Sequence, residues 1–185
     1  MEEKRLIMIL LLAGLIVFLI IGTGTTILNY FSVAEFSKVR PQGIGIGQWP
    51  TAEFVDRIRG LMLISFIIML IGLVAALLFV FVDILLKPKT EKFKSCTQLL
   101  CGLIMLGTVI GLIVLFNQMT SEIPPNFNYL GDIYLYYPYS FAIEAQGQLF
   151  LPIICLVAIS FITIPTSIMR FVAIKKNRYD VDTHE

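Results

Sequence analysis

The chain has 185 residues, of which 57% are hydrophobic and 15% charged, and its mean hydropathy is +0.86. Those values exclude an ordinary water-soluble domain. A net charge of +1 supplies no basic field for nucleic acid, and the one histidine, His184, stands next to the C-terminus, away from any residue it would need for catalysis.

Charged side chains are missing from four long stretches, 6–34, 60–82, 95–121 and 145–169, which are 29, 23, 27 and 25 residues long. About 20 apolar residues in a helix cross the hydrocarbon of a bilayer, and a helix satisfies its own backbone polar groups there. Transmembrane strands would alternate in polarity, which these runs do not. The pattern predicts an all-α membrane protein, a four-transmembrane-helix bundle forming a single domain over 1–185. The expected spans are about 6–28, 60–83, 96–118 and 148–169, with outer loops at about 29–59 and 119–147 and a tail from 170 to 185.

Positive charge orients the spans, because segments that stay in the cytosol retain lysine and arginine. An even number of spans puts both termini on one side. That side holds Lys4, Arg5, Lys87, Lys89, Lys92, Lys94, Arg170, Lys175, Lys176 and Arg178, ten of the fourteen cations. Both termini are therefore expected in the cytosol, with a small extracellular cap opposite. A cleaved signal peptide is the competing reading of the first span, since its apolar run ends in Gly22-Thr23-Gly24-Thr25-Thr26. The segment before that run, Met1-Glu2-Glu3-Lys4-Arg5, carries no net positive charge, which favours a retained helix.

In the first outer loop, Pro41-Gln42-Gly43-Ile44-Gly45-Ile46-Gly47-Gln48-Trp49-Pro50 alternates turn formers with apolar residues. A short strand with glycine bends and a flexible loop both fit it, whereas its glycine spacing matches no phosphate-binding loop. Thr51 suits an N-cap and Glu53 the first turn of the second helix, which is expected to begin outside the lipid. Asp56 and Arg59, three apart on that helix, are placed to pair. Asp83, near the other end, is expected to snorkel or to pair with a lysine of the following loop. That loop, Lys87 to Lys94, is short enough to make helices two and three antiparallel neighbours, and its four lysines would meet anionic lipid.

Gly107 and Gly111 in the third helix form a GxxxG spacing, and Gly72 with Ala76 offers a small pair on the second. Such positions permit close backbone approach, within the bundle or between two copies of the chain. Cys96, beside the lysines, is a candidate for palmitoylation. Cys101 and Cys155 fall within spans, so the outer loops hold no disulfide. Five of the seven tyrosines lie between 129 and 139, and Tyr134, Tyr136, Tyr137 and Tyr139, with Trp49, are candidate partner contacts or interface-belt residues. Pro152 and Pro165 predict a bent fourth helix. No paired carboxylates, metal-ligand spacing or nucleophile set can be assembled, so neither an enzyme nor a cofactor is expected.

Gly47-Gln48-Trp49, Arg59-Gly60-Leu61-Met62, and Tyr136-Tyr137-Pro138 followed by Glu144 and Gly147 resemble, respectively, the first-loop signature, the start of the second helix and the segment before the fourth helix in the claudin and peripheral-myelin-protein superfamily of tetraspan proteins. The four-span layout is similar over nearly the whole chain. The first loop departs from that family in lacking its paired cysteines and its earlier tryptophan, and Asp182-Thr183-His184-Glu185 lacks a hydrophobic last residue for a PDZ domain. The resemblance implies a non-enzymatic plasma-membrane protein acting by contact, in cell adhesion at junctions or as an auxiliary subunit of a channel or receptor. Its expected partners are the lipid bilayer, other membrane proteins or a second copy of itself, and not nucleic acid. A MARVEL-like organiser of membrane traffic is the alternative, and a pore or transporter a third.

Overall fold

A computed structural model describes residues 2–36, 52–85, 91–122 and 136–182, with side chains chiefly over 7–31, 56–84, 92–122 and 145–174. These residues form four helices: α1 (Glu2–Phe36), α2 (Ala52–Leu85), α3 (Glu91–Ser121) and α4 (Tyr136–Asp182). Each carries a stretch long and apolar enough to cross a bilayer: Ile7–Phe31, Asp56–Ile84, Lys92–Ser121 and Ala145–Ile174. The chain is thus an all-α four-span bundle, and no strand occurs among the described residues.

The helices are antiparallel in sequence and close into a ring. α1 packs on α2 and α4, α3 packs on α2 and α4, and across the middle α2 meets α4 while α1 and α3 stay apart. The starts of α1 and α3 and the ends of α2 and α4 consequently lie at one end, called here the terminal end. Hydrophobic burial cannot drive this association within lipid, because the lipid tails are as apolar as the side chains. Close packing does instead. Leu12 and Leu19 of α1, Met62, Met69 and Phe79 of α2, Met105 and Leu112 of α3, and Leu149 and Leu156 of α4 interlock in one cluster. The outer surface is equally apolar, with Phe18, Phe81, Ile110 and Phe161 exposed, as a lipid-facing surface requires. Several buried hydroxyls bond back to their own helix: Thr23 to the Leu19 carbonyl at 2.7 Å, Ser65 to Leu61 at 2.7 Å and Ser167 to Thr163 at 2.7 Å.

Several boundaries differ from expectation, and α3 begins at Glu91, within the Lys87–Lys94 stretch expected to be a loop. α1 continues through Phe36, eight residues past the predicted end at 28. α4 begins at Tyr136, so 136–147 is helix where a loop was expected, and it runs on through the tail to Asp182. Hydropathy marks where lipid begins, not where a helix must stop, since water satisfies backbone groups outside the bilayer. Pro138 is compatible with the start of α4 because N–H groups in a first turn have no helical partner to lose. The glycine-rich stretch 41–50 and the remainder of the expected outer loops, 37–51 and 123–135, lie outside the described residues.

Three glycines set how closely the helices approach. A Cβ on Gly22 would stand 2.7 Å from Cγ of Pro152, joining α1 to α4. One on Gly72 would meet Leu156 Cδ2 at 2.9 Å and Thr108 Oγ1 at 3.0 Å, and one on Gly102 would meet Ile164 Cγ1 at 2.7 Å. Pro152 and Pro165 both sit inside an unbroken α4, and the Pro152 ring fills the notch left by Gly22.

A candidate functional site at the terminal end

Asp83 lies two residues before the end of α2 and is only 3% exposed. A lone carboxylate at that depth would be costly, so its partners decide whether it can ionise. Lys94, in the first turns of α3, approaches Oδ1 at 3.1 Å and donates to the Asp83 backbone carbonyl at 2.8 Å. That carbonyl is among the last four of α2, which no further helical turn satisfies, so one ammonium caps the helix and pairs with its carboxylate. Gln98, one turn further along α3 and fully buried, donates from Nε2 to Asp83 Oδ1 at 3.2 Å.

Arg170 completes the cluster from α4. Its Nη1 donates to Asp83 Oδ1 at 2.6 Å and to Gln98 Oε1 at 2.7 Å. Gln98 thereby accepts from the arginine while donating to the aspartate, which fixes the orientation of its amide. Three helices are tied at one point, and Asp83, Lys94 and Arg170 sum to one positive charge.

The opposite end is held more loosely. Arg59 of α2 lies over the Tyr30 ring of α1, with Cζ 5.4 Å from the centroid, and pairs with Asp56 at 3.6 Å. Arg57 reaches Glu122 at the end of α3 at 3.6 Å, and Gln146 of α4 donates to the Thr120 hydroxyl of α3. Asp56 and Arg57 are open to solvent, and each such pair is worth roughly 1 kcal/mol or less.

Of the residues singled out in the sequence, Gly72 and Ala76 are buried in the bundle. Gly111 faces Ile68 of α2, whose Cδ1 would stand 3.4 Å from an added Cβ, whereas Gly107 faces outward with nothing within 4 Å. The GxxxG pair therefore does not act as one close-packed face inside the bundle. Cys96 is exposed, and Cys101 and Cys155 are buried. Tyr136, Tyr137 and Tyr139 belong to the start of α4, while Trp49 and Tyr134 lie outside the described residues.

The expected pairing of Asp83 with a lysine is present, as is the Asp56–Arg59 pair. Sequence reasoning missed Gln98 and Arg170. Gln98 had a signal, being an amide within an otherwise apolar run, and Arg170 had another, being the first charge after the fourth gap. No protein-family model, no curated protein and no solved structure matches the chain.

Proposed function

We propose that this is a non-enzymatic, multi-pass protein of the plasma membrane, with both termini cytosolic, that works by touching other membrane proteins. It serves either as an adhesion component or as an auxiliary subunit of a channel or receptor, in the manner of a divergent member of the claudin and peripheral-myelin-protein superfamily. One observation carries the reading. α4 runs from Tyr136 to Asp182 while its apolar span covers only Ala145–Ile174, so the helix continues nine residues past the span at one end and eight at the other. At 1.5 Å per residue the first extension is about 13 Å long. It carries Tyr136, Tyr137 and Tyr139 on a backbone continuous with the packed bundle, which lowers the entropy lost when a partner binds.

Replacing Tyr136, Tyr137 and Tyr139 together by serine tests this reading in cells expressing the full chain. Co-purification of surface-labelled partner proteins is expected to fall at least tenfold, with the melting temperature of the purified bundle unchanged. Full retention of the same partners, both in this variant and after replacement of Trp49, would overturn it.

The alternative of a MARVEL-like trafficking organiser draws support from an apolar groove between α1 and α2, lined by Ala13, Val17, Val74, Leu77, Phe81 and Ile84. On that reading an exchange of both outer loops leaves cellular distribution intact, whereas on the contact reading it abolishes partner binding.

A further inference from the structure

Arginine presents five N–H donors in a planar fork, and its Nε and Nη2 edge matches two oxygens of a phosphate or carboxylate. In Arg170 the two protons of Nη1 are used by Asp83 and Gln98. Nε and Nη2 have no partner among the described residues, and they are not buried: the side chain keeps 31% of its surface exposed. The inner edge of the guanidinium is thus locked to α2 and α3 while its two-pronged outer edge is presented, already oriented, at the surface.

Charge and position identify what that edge meets. Asp83 is shared by Lys94 and Arg170, so the cluster retains one positive charge that no described group neutralises. Arg170 lies four residues inside the end of the apolar span Ala145–Ile174, about 6 Å along the helix axis, the depth at which acyl chains give way to headgroups. Met169, Phe171 and Val172 beside it in sequence are exposed, and they offer acyl chains an apolar surface next to the cation. Lys92, also exposed, adds a further positive charge at the same end. A water-borne anion would gain nothing from that apolar flank, whereas an anionic phospholipid uses both parts.

We infer that Arg170, held by Asp83 and Gln98, is the anchor of a binding site for the phosphate of an anionic phospholipid in the leaflet facing the chain termini. The inference does not depend on the function proposed above. Lys94 and Lys92 supplement the field, and the phosphate oxygens accept from Nε and Nη2 of Arg170.

The test uses the full-length protein purified in mild detergent and titrated with short-chain phosphatidic acid, short-chain phosphatidylcholine or inorganic phosphate, with occupancy read by native mass spectrometry. Phosphatidic acid is expected to bind at least tenfold more tightly than phosphatidylcholine and to resist displacement by millimolar inorganic phosphate. Arg170→Lys keeps the charge and a bond to Asp83 but loses the two-pronged edge, so binding should weaken about fivefold. The paired variant Asp83→Asn with Arg170→Gln replaces the ion pair by neutral groups of similar size, preserves folding, and should weaken binding at least tenfold. Equal binding of phosphatidylcholine would overturn the inference, as would undiminished phosphatidic acid binding in both folded variants. Displacement by inorganic phosphate at equal concentration would assign the site to free phosphate and overturn the lipid. Loss of an acidic protein partner in Arg170→Lys, with lipid binding unchanged, would overturn it too.

Discussion

Arg170 and Asp83 stand 87 positions apart in the chain and 2.6 Å apart in space, joined where the end of α2 meets α4 near the limit of its apolar span. This contact closes the terminal end of the bundle, and Gln98 and Lys94 make it a four-residue unit. Removing only the aspartate leaves two cations facing each other at a largely desolvated point. Asp83→Ala should therefore destabilise the purified protein by about 3 kcal/mol, in the range found when one partner of a buried pair is deleted. The double variant Asp83→Asn with Arg170→Gln should lose much less than the sum of its two single variants. Thermal unfolding in detergent over the full cycle measures the coupling, and simple additivity would show that the residues do not act together.

Gly22 permits a close approach between α1 and α4. The Pro152 ring that an added Cβ would strike at 2.7 Å is rigid and fixed to the α4 backbone, so it cannot swing aside as a longer side chain would. Gly22→Ala should cost about 1–3 kcal/mol, as other overpacking substitutions do. Gly14→Ala and Gly107→Ala, where nothing lies within 4 Å, should be neutral or gain up to about 1 kcal/mol from helix propensity. Comparing the three melting temperatures separates packing from propensity, and equal losses at all three sites would refute the packing assigned to Gly22.

Arg59 couples α1 to α2 at the end away from the chain termini by lying over the Tyr30 ring. Tyr30→Leu keeps the apolar bulk but removes the ring face, and a stability loss of about 0.5–1 kcal/mol is expected. The same substitution in an Arg59→Gln background should cost nearly nothing further. A loss unchanged in that background would show that Tyr30 contributes through its packing alone.

The four spans are legible in the sequence because lipid imposes a single requirement, an uncharged run of about 20 residues, and the charge gaps record it directly. Direction within the membrane is harder to read. α3 is apolar on every side, so no polar face distinguishes the side turned to lipid from the side turned to α2 and α4, and the spacing of Gly107 and Gly111 marks a face without saying where it points. Gly22 matters because of Pro152, a neighbour 130 positions later that no local pattern reveals. The pairing of Asp83 with Lys94 can be anticipated because a short connection brings them together. Arg170 cannot be placed with them until the ring order of the helices is known. The helical start of α4 escapes notice for a different reason: Tyr136-Tyr137-Pro138 reads as a turn locally, and the packed span that follows propagates helix back into it.

The three thiols should differ sharply in reactivity. Cys96 is exposed on α3 close to Lys92 and Lys94, while Cys101 and Cys155 are almost wholly enclosed by the bundle. A maleimide reagent added to the folded protein in detergent should modify one cysteine per chain, identified as Cys96 by peptide mass, and the other two only after denaturation. In membranes of expressing cells, Cys96 is also the position at which a thioester-linked acyl chain is expected, because it is both exposed and beside basic residues. Hydroxylamine treatment followed by thiol capture should then recover the wild-type chain and fail to recover Cys96→Ser. Capture of the variant at wild-type yield would place any acylation on another cysteine, while rapid labelling of Cys101 or Cys155 in the folded state would contradict the packing of α3 against α4.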